Sequence, residues 1–464
     1  MLFSSVTFLY AFLPLTLLVY FLAPAFLRNG VLLAASLVFY AFGEPVYVVL
    51  LLVSSVSDFV WSLLIERYRS CPRLAKGFLV CSLAVNLGLL GFFKYADFLI
   101  GSLNALTGLR LPLTGVPLPI GISFYTFQTM SYTIDVYRGK AKAQKNLATF
   151  ATFVCLFPQL IAGPIVRYTD VAEKLENRQT ALTDTAAGLR RFVIGLGKKV
   201  LLANGMGELC AAFRASTEPS TLFFWLYAAG FFFQIYFDFS GYSDMAIGLG
   251  RVFGFYFPEN FDYPYISRSV TEFWRRWHMT MGGWFRDYVY IPLGGNRVCR
   301  WKWLRNIAAV WLLTGLWHGA DWNFVLWGAG FGLILMAEKV LYGKFLTRLP
   351  RVVQHVYVLL VVLVSFVIFN ADGLSGAASD LAGLFGLSGL PFCTGETLYF
   401  LRSCTVLLLF CVIAALPAGK WIYNRIENAR WLTILEPVLL VGILTAVTAS
   451  LVDGSFNPFL YFRF

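Results

Sequence analysis

Charged residues are scarce in this sequence. Asp, Glu, Lys and Arg make up only 13% of its 464 residues, whereas a typical soluble domain carries about 25%. This scarcity argues against a water-soluble enzyme. Hydrophobic residues reach 58% and aromatic residues 17%, and several apolar runs have the roughly 20 residues that cross a bilayer. The sequence therefore predicts an all-α polytopic membrane protein.

Familiar ligand and nucleotide motifs are also missing. The eight Cys are scattered without a CxxC pair, and the three His lack metal-ligand spacing, so we expect no metal and no bound cofactor. A zinc site built from His278, His318 and an Asp receives no support from the spacing. P-loop, Rossmann, nucleophile-elbow and HExxH motifs are absent. No internal repeat is visible, which weakens an inverted-repeat transporter interpretation.

The net charge of +12 reflects membrane orientation rather than a nucleic-acid partner. Basic residues lie in short loops between apolar segments, as the positive-inside rule produces, and membrane lipids are a sufficient partner. The stretches predicted to be cytoplasmic are 66–76, 138–145, 167–199, 259–305 and 338–351. The loop 371–397 has three acids and no Lys or Arg, so we expect it outside. Both termini are also predicted outside, in the plasma (cell inner) membrane.

The apolar passes predict about 11–12 transmembrane helices plus re-entrant and interfacial helices, in a single membrane domain over 1–464. Two stretches, 149–165 and 240–257, break the alternation of loop charge, because one full span cannot begin and end on the same side. We interpret both as re-entrant or broken segments, which are tolerated only where protein surrounds them. The expected regions are N-terminal spans at 1–136, a catalytic region at 259–340 and C-terminal spans at 352–464.

His318 lies near the middle of the apolar run 306–337. An ionisable residue at membrane depth is costly and functional by default. The neighbouring Gly315 and Gly319 leave little bulk beside the imidazole, so a substrate or another backbone could approach closely. The alternative is a His that hydrogen-bonds a neighbouring helix within a Trp-rich packing cluster that includes Trp317.

His278 lies on a predicted amphipathic helix. Ser269 and Glu272 have capping-box spacing, which begins a helix, and Arg275 and Arg276 follow Glu272 at pairing distance. The apolar face of that helix would carry Trp274, Trp277, His278 and Met281. Such a helix is typical of the membrane surface, but this interpretation does not account for a His on the apolar face.

A third polar group lies within 234–244, at the predicted junction of a span and a broken helix. It contains Gln234, Asp238 and Asp244, with hydroxyl residues between them. Membrane enzymes and transporters place ligand groups at half-helix ends of this kind. The alternative is that these side chains cap the broken backbone.

At these residues the sequence resembles the membrane-bound O-acyltransferase (MBOAT) family, in its bacterial branch of alginate O-acetyltransferase membrane subunits and D-alanyl transfer proteins. The motifs that carry the resemblance are FSS at 3–5, PIGISFY at 119–125, FPQ at 157–159 with GP at 163–164, YFDFSGYSD at 236–244, FWRRWH at 273–278 and LWHG at 316–319. The resemblance implies that His318 matches the essential intramembrane histidine and His278 the second histidine of the branch. It also implies a helical fold thinned in the middle, where a funnel from one side meets a tunnel from the other.

The expected activity is transfer of an acyl group, expected to be acetyl, from a cytosolic thioester to an extracytoplasmic polysaccharide or partner transferase. A neutral His318 would take the hydroxyl proton during attack on the thioester carbonyl, worth about 10²–10⁴ in rate, while His278 polarises or orients that carbonyl. A transient acyl-His is the alternative. The candidates for donor or substrate binding are Trp317, Asp238, Asp244, Gln234, Trp274, Arg275 and Arg276.

The expected donor is acetyl-CoA, or an acyl thioester on a carrier protein. Beyond lipids, the expected partner is an extracytoplasmic SGNH-type acetyltransferase or another polysaccharide-modification protein. D-alanyl transfer to teichoic acid is an alternative within the same family. A transporter or flippase for a lipid-linked glycan, or a non-catalytic scaffold, is an alternative of another class. Only acyl transfer requires His318 and releases a free thiol from the donor.

Overall fold

The computed structural model describes residues 1–427, 429–454 and 459–460, and the regular elements within them are helical. The α-helices in this part of the chain are α1 (Leu13–Leu22), α2 (Arg28–Ala41), α3 (Val48–Arg67), α4 (Pro72–Leu90), α5 (Ala96–Thr107), α6 (Ile122–Tyr137), α7 (Leu147–Cys155), α8 (Phe157–Leu160), α9 (Tyr168–Glu176), α10 (Leu182–Gly197), α11 (Asn204–Ala215), α12 (Thr221–Val252), α13 (Val270–Arg276), α14 (Met279–Phe285), α15 (Arg300–His318), α16 (Trp322–Ala337), α17 (Gly343–Leu346), α18 (Arg351–Phe369), α19 (Gly373–Leu384), α20 (Gly395–Ala415), α21 (Ala418–Ile426) and α22 (Leu432–Asp453). The π-helical segments are Phe8–Phe12, Gly91–Tyr95, Lys198–Ala203, Arg286–Tyr290 and Glu338–Tyr342, and the 3-10 turns are Ala25–Leu27 and Pro264–Ile266.

Seven helical stretches in the described residues are long and apolar enough to cross a bilayer. They are Val48–Arg67, Pro72–Thr107, Thr221–Val252, Trp322–Leu346, Arg351–Phe369, Gly395–Ala415 and Leu432–Asp453. The all-α polytopic fold class is therefore confirmed. The count from sequence is higher because it includes shorter helices, such as the apolar Phe8–Leu22 and Ala25–Ala41 and the 16-residue α6.

The helices form two compact units. The first comprises Met1–Phe192 and Tyr242–Pro258, and the second comprises Val193–Gly241 and Glu259–Phe464. Because these boundaries fall within α10 and α12, each of those helices contributes residues to both units. The predicted catalytic region lies within the second unit.

In the first unit, the helix is interrupted within the stretch 149–165. α7 ends at Cys155, α8 has only four residues, and the chain then continues without helix until α9. The backbone N–H of Phe157 donates to Ser36 Oγ at 3.0 Å, and the Gln159 amide donates to the Phe153 carbonyl at 2.6 Å. Residues 150–166 are buried, so the interrupted backbone is enclosed by protein, as the environment of a membrane protein requires.

The structure corrects the expectation of a broken segment beginning near 240. α12 is one helix of 32 residues that continues to Val252. At Gly241 this helix packs directly against a neighbouring backbone, since a Cβ there would lie 2.7 Å from the carbonyl oxygen of Gly195. The carboxylate of Asp238 forms an ion pair with Lys199, so a charge at this depth does not require the helix to unwind.

In the second unit, α15 and α16 pack with their backbones in direct contact. A Cβ on Gly315 would lie 2.4 Å from the carbonyl oxygen of Phe324, and a Cβ on Gly328 would lie 2.4 Å from that of Trp311. Small residues at such a crossing allow two helices in a membrane to approach closely. This hairpin carries His318 at the end of its first helix.

We expect Gly328→Ala to destabilise the folded protein by about 1–3 kcal/mol, because the added methyl group must push α16 away from the backbone of α15. Gly330→Ala is the matched control, since a Cβ at Gly330 meets no atom within 4 Å. The measurement is the temperature at which detergent-solubilised protein loses its monodisperse chromatographic peak. Equal temperatures for the two variants would contradict the close helix contact.

Candidate active site

His318 is the last residue of α15 and is only 5% exposed. The turn that follows is short, because α16 begins at Trp322. Asp321 caps this helix by accepting the backbone N–H of Trp322 at 2.5 Å. The sequence leaves open whether a substrate or another backbone occupies the space beside His318, and in the structure α16 occupies it. A Cβ on Gly319 would lie 2.2 Å from the Phe324 ring. These glycines therefore serve packing of the hairpin.

Three aromatic rings surround the His318 imidazole. The ring-centroid distances are 5.1 Å to Trp317, 5.1 Å to Trp327 and 5.3 Å to Phe369, all close to edge-to-face. The Trp-rich packing cluster that the sequence suggested is therefore present around this residue. These rings leave only a narrow space through which another group can reach the imidazole.

His318 also lines a cavity of about 20 Å³, which is large enough for about one water molecule. The other residues that line this cavity are Ile235, Asp238, Phe239, Trp277, Trp327, Phe366, Phe369, Phe459 and Leu460. The lining is apolar or aromatic except for His318 and Asp238. An O–H group that enters this cavity would therefore meet few polar side chains besides these two.

Asp238 is buried, with 1% exposure. It forms an ion pair with Lys199, which lies in the π-helical segment that follows α10. Its second carboxylate oxygen accepts the backbone N–H of Leu460 at 2.9 Å. The carboxylate thus holds residue 460 beside the cavity. Gln234, one turn earlier on α12, is half-buried and does not line the cavity.

The helix expected to carry His278 is not continuous. α13 ends at Arg276 and α14 begins at Met279, and His278 between them has a φ of +44°, a left-handed conformation that residues other than glycine rarely adopt. The predicted helix is therefore wrong beyond Arg276. The physical reason is pairing with the preceding loop: Asp262 N–H donates to the Arg276 carbonyl and Met279 N–H to the Asn260 carbonyl, both at 2.9 Å.

The His278 imidazole is fully buried among aromatic rings. Its ring centroid lies 4.6 Å from that of Phe239 and 5.8 Å from that of Trp317. Because Trp317 also contacts His318, the two histidines belong to one aromatic cluster. The Nδ1 atom of His278 lies 3.0 Å from Asn260 Oδ1. Burial lowers the pKa of His278 to about 3, so this imidazole is neutral at physiological pH.

Helix α13 begins where the sequence predicts, at Ser269, whose hydroxyl accepts the backbone N–H of Glu272 at 3.0 Å. The remaining donors of its first turn are bound by Glu338, a buried residue just after α16. This carboxylate accepts the N–H of Val270 at 2.6 Å, the N–H of Thr271 at 2.9 Å and the Thr271 hydroxyl at 2.7 Å. A carboxylate at a helix N-terminus satisfies orphan donors and favours the helix dipole, so Glu338 anchors α13.

Trp274, on α13, connects His318 to a larger space through aromatic contacts. Its ring lies 4.7 Å from Trp311, 4.9 Å from Phe331 and 5.7 Å from Trp327. Since Trp327 contacts His318, a continuous series of rings runs from Trp311 to His318. We call the five residues Trp311, Phe331, Trp274, Trp327 and His318 the aromatic series.

A cavity of about 1000 Å³ adjoins the Trp311 end of the aromatic series. Its charged lining residues are Arg268, Glu272, Arg275, Glu338, Lys339 and Arg351. Of the two predicted donor-binding arginines, Arg275 lines this cavity. Arg276 does not, because it pairs with Asp262 at 2.9 Å and Glu272 at 3.1 Å.

Asp244 belongs to the first compact unit, where it pairs with Arg191 at 2.8 Å. The structure therefore brings His318, Trp317, His278 and Asp238 together in the second unit, with Asp244 in the other. Within the described residues, no cluster of three or more His, Cys, Asp or Glu is placed to hold a metal ion.

Residues 119–377 match the sequence model of the membrane-bound O-acyltransferase family. The chain belongs to this family. A probable alginate O-acetylase from Azotobacter vinelandii is 40% identical over the whole of both chains. The peptidoglycan O-acetyltransferase of Helicobacter pylori is 35% identical over 85% of this chain and 81% of its own. The teichoic acid D-alanyltransferase of Bacillus subtilis is 30% identical over 45% of this chain and 56% of its own.

The protein is therefore a multi-pass membrane O-acyltransferase. The sequence analysis of this acyltransferase did not identify Glu338 and Asn260, two residues that hold parts of the site in place. Glu338 had a usable signal, because an acid at the end of an apolar span is costly unless it has a partner. Asn260 gave no such signal in the sequence, because polar residues are common in loops.

The buried His278 predicts a pH dependence of stability. Its pKa of about 3 in the folded acyltransferase lies below the value of about 6.5 expected in the unfolded chain. Between these values the unfolded state binds a proton that the folded state does not, so stability falls as pH decreases, by on the order of 2 kcal/mol from pH 6.5 to 5. The His278→Gln variant lacks this contribution. Thermal unfolding at pH 7 and pH 5 measures it, and an equal loss in both proteins would refute it.

Proposed function

We propose that this acyltransferase moves an acetyl group from acetyl-CoA in the cytosol to an extracytoplasmic polysaccharide, directly or through an SGNH-type partner transferase. The names of the relatives support acetyl as the group transferred. The alginate relative matches along the full length of both chains and the peptidoglycan relative along most of both. The D-alanyl relative covers less than half of this chain, which makes D-alanine the weaker alternative.

His318 is the proposed general base, and the observation that carries this proposal is its place on the wall of the water-sized cavity. A neutral imidazole nitrogen takes the proton of the acceptor hydroxyl as the oxygen attacks the thioester carbonyl. The carbon–oxygen ester bond forms, the carbon–sulfur bond breaks, and the thiolate leaves and takes up a proton. General-base catalysis of this kind contributes about 10²–10⁴ in rate.

The large cavity is the proposed donor site. The side chains of Arg268, Arg275 and Arg351 line it and form no ion pair or hydrogen bond with the described residues. The two acids that line it are engaged, since Glu272 pairs with Arg276 and Glu338 binds α13. Unpaired guanidinium groups suit the phosphates of coenzyme A, which arginine binds in a bidentate manner.

The charge of this cavity also supports its proposed side of the membrane. Its basic residues belong to the stretches 259–305 and 338–351, which the positive-inside rule assigns to the cytosol. With this orientation both termini lie outside and the enzyme resides in the cell membrane. The acetyl group would then pass along the aromatic series to reach His318, which requires small displacements of the rings.

His318→Ala and His318→Gln are expected to lower acetyl transfer by about 10²–10⁴-fold, because the base is removed. The measurement is release of free coenzyme A together with transfer of labelled acetyl groups in membranes that contain the partner transferase. His355→Gln is the control, since this third histidine lines neither cavity, and its Nδ1 lies 3.0 Å from the Ser267 carbonyl oxygen. Undiminished transfer by a folded His318→Ala protein would exclude the role as base.

Charge reversal at Arg351 is expected to raise the KM for acetyl-CoA about tenfold or more, because a charge-assisted contact to phosphate is lost. Arg348→Glu is the matched control: it changes the same charge in the same stretch but does not line the cavity. Acetyl-dephospho-CoA, which lacks one phosphate, tests the contact directly. An unchanged KM, or transfer only from a carrier-protein thioester, would overturn acetyl-CoA as the donor.

A further inference from the structure

We propose that Asn260 is a positioning residue for His278, and that it holds the imidazole with Nδ1 as a hydrogen-bond donor and Nε2 as a free acceptor. The acceptor Nε2 would then receive a hydrogen bond from an O–H or N–H group of the substrate bound near His318. The catalytic consequence rests on the proposed acyl transfer, whereas the imidazole geometry does not.

Asn260 contacts the His278 region through both its backbone and its side chain. The residue is fully buried. Its carbonyl oxygen accepts the N–H of Met279 at 2.9 Å, and its Oδ1 atom accepts the Thr280 hydroxyl at 2.8 Å and the Thr280 N–H at 3.4 Å. The same Oδ1 lies 3.0 Å from His278 Nδ1. One side chain therefore binds the imidazole and caps the first turn of α14.

These contacts determine which imidazole nitrogen carries the proton. The backbone N–H of Thr280 can only donate, so the Asn260 atom that faces it must be the oxygen. An oxygen acceptor requires a donor at His278 Nδ1. In a neutral imidazole the proton on Nδ1 leaves Nε2 with a lone pair. In this tautomer His278 does not donate a hydrogen bond to a carbonyl through Nε2. Of the role expected from the sequence, which is to polarise or orient the carbonyl, the proposal is compatible only with orientation.

The Nε2 atom is buried and has no hydrogen-bond partner among the described residues. Buried polar groups in native proteins are nearly always paired, and an exception asks for an explanation such as a bound ligand. The ring is confined by Phe239 at 4.6 Å and Trp317 at 5.8 Å, and both residues adjoin His318 or its cavity. A substrate group at this site is therefore the partner that we infer for Nε2.

The backbone of His278 supports the same conclusion. Its φ of +44° and ψ of +52° place it in the left-handed region, which a residue with a Cβ adopts only where its surroundings impose it. The Met279–Asn260 hydrogen bond and the one from Gly282 N–H to the His278 carbonyl at 3.1 Å hold it there. Both the direction of the imidazole and its tautomer thus depend on Asn260.

The first test observes the tautomer without measuring acyl transfer. The chain has three histidines, so ¹⁵N solid-state NMR of protein labelled only at histidine yields three imidazoles, which single His→Gln variants assign. We expect the wild-type His278 signals to show a neutral ring protonated at Nδ1. A ring protonated at Nε2 would overturn the proposal even if the enzyme is an acetyltransferase.

The second test compares two substitutions of similar volume. Asn260→Asp retains an oxygen acceptor, so the Nδ1 tautomer and most of the activity should remain. Asn260→Leu removes the acceptor and should lower kcat by about 10–100-fold, the range seen when a metal-bound histidine loses the partner that orients it, with the donor KM little changed. Asp262→Asn, in the same loop and exposed, is the control and should retain full activity. Equal activity of the Asp and Leu variants would overturn the proposal.

A double-mutant comparison separates positioning from general destabilisation. If Asn260 acts through His278, then Asn260→Leu should cause no further loss of kcat in a His278→Ala background. Additive losses would mean that Asn260 acts on the site by another route. Each comparison uses protein that elutes as a single chromatographic peak, and Asn260→Asp provides the informative variant if the Leu variant does not fold.

Discussion

The close backbone contact between α15 and α16 is the constraint on which the rest of the site depends. At Gly315 and Gly328 the two helices approach so closely that a single Cβ would overlap the opposite backbone. This approach sets the Trp327 ring, on α16, against His318, at the end of α15. Trp327 in turn contacts Trp274. This one helix crossing therefore positions His318 and Trp327, together with Trp311, which lies on the wall of the large cavity.

The charged residues inside the second unit differ in whether they have partners. Lys199 neutralises the charge of Asp238, and Glu338 accepts hydrogen bonds from backbone N–H groups of α13. Removing such groups from water is costly, so each is retained with partners that satisfy it. Arg268, Arg275 and Arg351, which line the large cavity, have no such partner among the described residues. This contrast separates the charged side chains that hold the fold from those that we propose bind the donor.

The sequence predicts different roles for the two histidines, and the structure gives them different surroundings. His318 was recognised from its depth in an apolar run, and the cavity beside it agrees with the role proposed for it. His278 was placed on a regular helix because the positions 274, 277, 278 and 281 have helical spacing. Pairing with the loop around Asn260 interrupts that helix and changes which hydrogen bonds the imidazole can make. Residues on both sides of this interruption keep the helical spacing, so the spacing does not reveal where the helix ends.

The sequence alone determined the membrane class, the family and the start of α13, because apolar run length, ordered motifs and a capping serine are local properties of the chain. Only the tertiary structure decided that α12 continues past Asp238, that Asp244 belongs with Arg191, and that Glu338 and Asn260 support the site. The hydrogen bond from His278 to Asn260 spans 18 positions and that from Val270 to Glu338 spans 68. Partners so far apart are selected by how helices pack, and neither composition nor spacing carries that information.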